Sequence, residues 1–246
     1  MMKELRLESV QIAYGAKTVL EKIDLTVQGG EIICLIGASG CGKSTLLNAV
    51  AGLVPIRSGS IVLNDSPVVG PAADRVMVFQ DDAVFPWMKV RDNIEFGLKV
   101  KRIPPAERQR IVEEKLAAVE LTHAANLYPR ELSGGMRKRV DLARALAVSP
   151  QMILMDEPYG ALDAMTKERL QVQFLKVCEE TNATSLFVTH DIEEALFLGD
   201  RIVVLGRNPG HIAHIINVPF GDNRSIELKR SAEFQQLRGE VSDLIH

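Results

Sequence analysis

The nine residues Gly37-Ala38-Ser39-Gly40-Cys41-Gly42-Lys43-Ser44-Thr45 constrain this chain more than any other stretch. They fall between the apolar run IICLIG and a short helix expected from Lys43 to Ala51, so the glycines sit in a strand-to-helix turn. Such glycines let backbone N–H groups curl round phosphate oxygens, and the helix N-terminus adds partial positive charge. In that arrangement Lys43 reaches the β- and γ-phosphates of a nucleotide, and the Ser44 hydroxyl takes Mg²⁺. A chance match to the spacing in a chain of this length has a probability on the order of 1%. The strand–loop–helix setting lowers it further.

The flanking pattern is that of an α/β protein. Up to about residue 80 the chain reads as strands and turns: LRLESV and KIDLTV alternate with period two, and GSIVLN (59–64) and RVMVFQ (75–80) are rich in β-branched residues. Pro104 and Pro105 open a helix whose Val112, Leu116 and Val119 share a face, and a second helix is expected from about Gly135 to Ala147. Apolar strands then alternate with helices: MILMD (152–156), a helix over 164–181, SLFVTH, a helix over 192–198, and RIVVL. That rhythm implies a mostly parallel sheet covered on both faces. HIAHIINV (211–218) is expected as the last strand, with a short helix and a tail beyond it.

Composition narrows the classes. The longest apolar stretches fall far short of the ~18 residues that span a bilayer, and the opening MMKELRLESV has no signal-peptide core, so the chain reads as cytosolic. A net charge of −3 argues against a nucleic-acid partner. The short basic runs KVKR (99–102) and RKR (137–139) are expected as solvated helix faces. Three cysteines without CxxC spacing indicate neither a disulfide framework nor a zinc site, and His211 and His214 should point to opposite faces of their strand.

Two further elements carry chemistry. Asp156 ends the apolar strand Met152-Ile153-Leu154-Met155, where a carboxylate is placed to hold Mg²⁺, and Glu157 beside it could polarise a water. Leu132-Ser133-Gly134-Gly135-Met136 opens a helix, which by physics alone is either a second small anion cradle or an ordinary capped helix. In this order the sequence resembles the ATP-binding subunit of ABC transporters, whose signature is LSGGQ.

That resemblance covers about residues 4–218 and implies a single ABC ATP-binding domain over 1–246. The implied fold is a P-loop NTPase (RecA-like) core, about 1–80 and 150–220, with an antiparallel β subdomain. A helical subdomain is inserted at about 81–149, and a short tail spans 221–246. By the same resemblance Tyr14 stacks on adenine, and Gln80 senses Mg²⁺ and water. Ala161-Leu162-Asp163 faces a partner subunit, Glu157 is the general base, and His190 contacts the γ-phosphate. Mg²⁺ falls to Ser44, Gln80 and Asp156. Two cassettes would pair head to tail, each ATP lying on one phosphate loop and under the other's Ser133-Gly134-Gly135. Cys41 lies inside that loop, so its alkylation is expected to block nucleotide.

Tyr128-Pro129 looks like the importer style of cassette, and residues 70–94 resemble the nitrate/sulfonate/taurine importers. Phe85 and Trp87 are then either core filling or an exposed rim that receives transmembrane permease subunits. The implied partners are a second ATP-binding subunit, those permease subunits and, indirectly, a solute-binding protein, with no nucleic acid. The implied location is peripheral, on the cytoplasmic face of the inner membrane. Met136 replaces the usual glutamine of the signature, Asp141 a usually small residue, and Tyr159 a common phenylalanine. The competing readings are an exporter cassette, disfavoured because exporters often fuse a membrane domain, and a soluble ABC ATPase acting on ribosomes or DNA. Ribosome-acting relatives generally carry two cassettes, and DNA-repair relatives insert long coiled coils between phosphate loop and signature. A simple P-loop kinase needs no LSGG segment.

Overall fold

A computed structural model describes residues 4–80, 83–160, 162–221 and 224–245. The chain begins with β1 (Glu4–Tyr14) and β2 (Lys17–Gln28), an antiparallel pair in which Leu5 faces Val27 and Leu7 faces Leu25. Their alternate residues Leu5, Leu7, Ile12, Leu20, Ile23 and Leu25 are buried, as period-two strands with one wet face require. β3 (Ile32–Gly37) differs in kind: all its residues are buried, and it leads through the glycine loop into α1 (Lys43–Val50). β4 (Ser58–Leu63) and β5 (Ser66–Pro67) complete a four-stranded sheet in the order β2-β1-β4-β5.

After β6 (Arg75–Val78) the chain leaves the sheets for α2 (Val90–Val100), α3 (Pro105–Ala118) and α4 (Gly134–Ala147). These three helices bury a core of their own, with Val90, Ile94 and Leu98 against Val112, Leu116, Val140 and Ala143. The sequence pattern predicts no helix at α2, although Val90, Ile94 and Leu98 repeat at four-residue spacing; the charges between them obscure the stripe. The return path is β7 (Met152–Asp156), α5 (Ala164–Thr181), β8 (Thr184–Val188), α6 (Ile192–Leu198), β9 (Arg201–Leu205), β10 (Ile212–Asn217) and α7 (Ala232–Ile245). RVMVFQ and SLFVTH are strands only as far as Val78 and Val188, which leaves Gln80 and His190 in loops beyond the strand ends.

The second sheet has six strands in the order β10-β9-β3-β8-β7-β6, parallel except for β10. Its two faces are separate cores. Ile33 and Leu35 face α1 and the antiparallel sheet, whereas Ile32, Cys34 and Ile36 face α5, α6 and α7. β3 therefore has strands on both edges and apolar layers on both faces, and its C-terminal end carries the glycine loop. In doubly covered parallel sheets this end is where ligands bind. No helix among the described residues is long and apolar enough to cross a membrane.

The C-terminal segment is more structured than its charge pattern implied. A 3₁₀ turn over Ile226–Arg230 precedes α7, whose Phe234 and Val241 are fully buried. Arg224 anchors this segment by donating to the carbonyls of Phe197 (3.3 Å), Leu198 (2.6 Å) and Gly199 (2.9 Å) at the end of α6, and to the Asp200 carboxylate. Arg224→Met should therefore lower stability by about 3 kcal/mol, because buried carbonyls and a carboxylate lose their charged donor together. Urea unfolding measures this directly. Arg224→Lys should recover only part of the loss, and an unchanged midpoint in the Met variant would refute the anchor.

Candidate functional site

The site is built on the β3–α1 turn. A Cβ on Gly37 would lie 2.5 Å from the Leu205 carbonyl oxygen of β9, and one on Gly42 would lie 2.6 Å from Leu20 Cδ2. Both glycines also have positive φ, so no other residue fits either position. Lys43 is buried, and its ammonium donates to the carbonyls of Gly37 (2.8 Å) and Ala38 (3.3 Å). The ammonium is thus held at the loop, where arriving phosphate oxygens would compete with neutral carbonyls for it.

Ser44 Oγ donates to Asp156 Oδ1 at 3.0 Å, joining the start of α1 to the end of β7. Two oxygens bound at right angles to one Mg²⁺, each ~2.0–2.1 Å from it, stand about 2.9 Å apart, so this donor pair fits the ion. Burial pushes the Asp156 carboxyl up from its ordinary range and the Ser44 hydrogen bond pulls it back; Glu157 adds to the rise and Lys43 opposes it. A cation between these oxygens would favour the charged form.

Glu157 has φ 43°, and its N–H donates to the Val188 carbonyl at 3.0 Å. This left-handed turn, a conformation uncommon outside glycine, brings its carboxylate within 3.2 Å of His190 Nδ1. A cleft of about 430 Å³ has Ser39, Gly40, Gly42, Lys43, Ser44, Thr45, Glu157 and His190 on its walls. Gln80 approaches from the other side: its Nε2 and Glu157 Oε2 both lie about 4 Å from where a Cβ on Gly160 would stand. Tyr14, 55% exposed at the end of β1, is free to meet a ring but is not on the cleft wall.

Cys41 lies within the loop with its thiol turned inward. Its side chain is 1% exposed and packs in the core with Leu20 and Leu46, so a reagent in the cleft does not meet the thiol. Cys41 meets the loop through both parts: its sulfur accepts from the Lys43 ammonium at 3.9 Å, and its N–H donates to Ala38 O at 3.2 Å.

Ser133, Gly134, Gly135 and Asp163 lie apart from this cleft, in a second one of about 270 Å³ between the N-termini of α4 and α5. Ser133 caps α4 by accepting from the Met136 N–H (3.3 Å), and Asp163 caps α5 by accepting from the Thr166 N–H (3.0 Å). The backbone hydrogen bond from Thr166 holds the Asp163 carboxyl below its usual range. Met136 thus serves the cap through its backbone, whatever its side chain. Ala161 lies outside the described residues.

The RKR run requires a correction: it is not a solvated face. Lys138 is buried and donates to the carbonyls of Phe79 and of Gln80 (2.7 Å), tying α4 to the Gln80 loop. Asp141, also buried, accepts from Arg144 Nη2 at 2.6 Å, and Arg144 in turn donates to Ala83 O and lies over the Phe85 ring at 5.0 Å. The departures at 136 and 141 thus acquire structural settings, while the Tyr159 hydroxyl is buried without a hydrogen-bond partner among the described residues. Phe85 is half-buried and Trp87 is 71% exposed, their rings 5.6 Å apart, and Phe96 of α2 stands 4.8 Å from Phe85. Trp87 is therefore rim rather than core. Buried Asn93 fixes this loop by accepting from the Phe85 N–H (2.7 Å) and donating to the carbonyls of Phe85, Met88 and Lys89. Asp81 and Asp82 lie outside the described residues.

Gly135 offers a test of how closely the two helix ends are set. A Cβ there would lie 2.8 Å from Thr166 Cγ2, the methyl of a stiff β-branched side chain. Helix propensity alone favours Gly→Ala by ~1 kcal/mol, so a net loss of roughly 1–3 kcal/mol in Gly135→Ala would isolate the clash. Thr166→Ser removes the methyl and should rescue the Ala variant in urea unfolding. Strictly additive effects of the two substitutions would contradict the contact.

Comparison with known proteins agrees with the geometry. The ABC transporter family profile matches residues 20–160. The taurine import ATP-binding protein TauB of Mesorhizobium japonicum is 43% identical, over 99% of this chain and 98% of its own length. The nitrate import ATP-binding protein NrtD of Synechocystis is 45% identical, over 94% and 89%. Among solved structures, the dimeric post-hydrolysis state of the ATP-binding cassette MJ0796 bound to ADP and Pi superposes with a TM-score of 0.76 at 32% identity, covering 87% of this chain and 98% of that one. CbiO1 of Clostridium perfringens, part of the transporter complex cbiONQ, shares the fold, with a TM-score of 0.82 at 23% identity over 97% and 98%. A phosphate loop, a strand-end carboxylate pair and a capped Ser-Gly-Gly helix, matched along nearly the whole chain, place this protein in the ABC transporter family of ATP-binding cassettes.

Proposed function

We propose that this chain is the ATP-binding and hydrolysing subunit of a multi-subunit importer for a small solute such as nitrate, taurine or another sulfonate. One observation carries the reading: the phosphate-loop cleft and the Ser133–Gly135 cleft are separate surfaces of one chain. A nucleotide on the first can meet the second only on another copy or a homologous subunit. The dimeric, ADP-and-Pi-bound state of the MJ0796 relative supports that assembly.

In this reading Lys43 exchanges its carbonyl partners for the β- and γ-phosphates, and the loop amides and α1 N-terminus complete the cradle. Tyr14 stacks on the adenine. Ser44, Asp156 and Gln80 would hold Mg²⁺, which supplies charge neutralisation on the phosphates. Glu157 takes the proton of the attacking water, and His190, already against Glu157, holds water and phosphate in line. The partner cassette adds Ser133 and its two glycines, with Asp163 at the subunit boundary. The names of the TauB and NrtD relatives support the solute class; selection among solutes falls to other subunits, including a solute-binding protein.

The core is about 1–80 and 150–220, with residues 81–149 as the helical subdomain and 221–246 as the tail. Trp87, Phe85 and Phe96 form the surface on which membrane subunits dock, which makes the chain peripheral to the cytoplasmic face of the inner membrane.

Glu157→Gln should bind ATP yet lose 10²–10⁴-fold in turnover, ~3–5 kcal/mol, and accumulate as an ATP-bound dimer; Lys43→Ala should fail to bind. Gel filtration with ATP reads the difference, and a Glu157→Gln protein that stays monomeric counts against the sandwich. Trp87→Ala should leave nucleotide binding intact and impair co-purification with membrane subunits, since a central aromatic truncated at an interface often costs more than ~2 kcal/mol. Full recovery of the complex together with normal uptake would remove Trp87 from the interface.

A further inference from the structure

The tail places a lysine where no surface role needs one. Lys229, in the 3₁₀ turn before α7, is 9% exposed, and its ammonium donates to Gln171 Oε1 at 3.1 Å. It also lies 3.5 Å from Glu193, 3.9 Å from Glu168 and 4.8 Å from the centre of the Phe197 ring. Gln171 is fully buried, and its Nε2 donates to Glu194 Oε1 at 3.1 Å. Glu194, itself buried, lies 3.2 Å from the Lys167 ammonium, which donates to Asp191 Oδ2 at 2.6 Å. Asp191 accepts the Glu193 and Glu194 N–H groups through Oδ1 as the cap of α6, and donates its own N–H to Thr189 Oγ1 at 3.0 Å. His190 is the residue between these two.

We infer that Lys229 is a positioning residue for His190, acting through Gln171, Glu194, Lys167 and Asp191. The direction of each bond makes the chain coherent. Because Lys229 occupies the carbonyl oxygen of Gln171, the amide nitrogen must face Glu194, which fixes that carboxylate where Lys167 can bridge it to Asp191. Without Lys229, the Gln171 oxygen is a buried acceptor with no donor, and turning the amide over would set that oxygen against the Glu194 carboxylate, so the Gln171 side chain loses its one satisfied orientation. Lys167 bridges Asp191 and Glu194, while Glu168 and Glu193 nearby have lost the Lys229 charge. Lys167 then has fewer constraints on which carboxylate it joins, and the loop bearing His190 loosens. Arg224 fastens the same tail to the C-terminal end of α6, and Lys229 meets Glu193 in its first turn, so the tail contacts α6 at both ends. The effect on turnover rests on the proposed role of His190; the effect on its position does not.

The test uses the full chain with ¹³C-labelled histidine rings, whose five side chains give few enough signals to resolve. His190→Gln assigns the His190 signal. Lys229→Met should move that signal, leave those of His211 and His214 in place, and cut kcat about tenfold with ATP affinity within about twofold. That is short of the ~100-fold that an ångström of misplacement can cost. Lys229→Arg should restore both readouts. Should Lys229→Met lose its melting transition, Lys229→Gln against Lys229→Arg carries the same comparison. An unmoved His190 signal overturns the assignment, as does an unchanged kcat where His190→Ala abolishes turnover. Undiminished turnover in His190→Ala would instead remove the catalytic role of His190 and leave its positioning to the spectrum.

Discussion

The buried ammonium of Lys43, held by the carbonyls of Gly37 and Ala38, is the interaction on which the rest of this molecule is arranged. Leaving a charge in so dry a place without partners would cost several kcal/mol. The carbonyls that prevent this belong to a loop that only glycine at 37 and 42 permits, because β9 and β2 press against it. The loop is rigid because β3 is, and β3 is rigid because strands flank it and apolar layers cover both its faces. The two sheets, α1 and the helices behind them all serve to present one ammonium and one helix N-terminus at a fixed place.

Around that point the side chains proposed for catalysis stand at or just beyond the ends of parallel strands. Asp156 and Glu157 follow β7, His190 follows β8, and Gln80 follows β6, the adjacent parallel strands of the same sheet. α4 then ties this group to distant surfaces: its N-terminus bears Ser133, Lys138 grips the Gln80 loop, and Arg144 holds the loop that displays Phe85 and Trp87. In the proposed function, a shift of Gln80 is thereby a shift against α4, which also carries Ser133 and holds the aromatic rim. Direct hydrogen bonds, rather than distance alone, connect the three places.

Much of this could be read from the sequence, for a physical reason. The phosphate loop, the strand-end carboxylates and the Ser-Gly-Gly cap are local: neighbours in sequence make the cradle, so spacing specifies geometry. The buried strands were visible as apolar runs too short for anything else. What was missed depends on distant partners. Lys138 looks like any surface lysine until the Phe79 and Gln80 carbonyls are found above it, and Lys229 is unremarkable until Gln171 is beside it. Cys41 lies within the phosphate motif, yet its side chain belongs to the core; the motif fixes only the backbone. α2 was hidden by the charges interleaved with its three buried apolar residues, Val90, Ile94 and Leu98, whereas α7, expected as a short helix, has a length and a burial that its largely polar surface obscured.

The central claim is that one chain carries two half-sites and that ATP joins halves from different chains. Hydrogen exchange with Mg²⁺ and ATP tests it most directly when run at high and at low protein concentration. Amides of residues 37–45 should be protected at both concentrations, because one chain suffices for that contact. Amides of residues 133–136 should gain protection only where the concentration supports pairing. Protection of both segments to the same extent at every concentration would mean that a single chain encloses the nucleotide, and the account would be wrong.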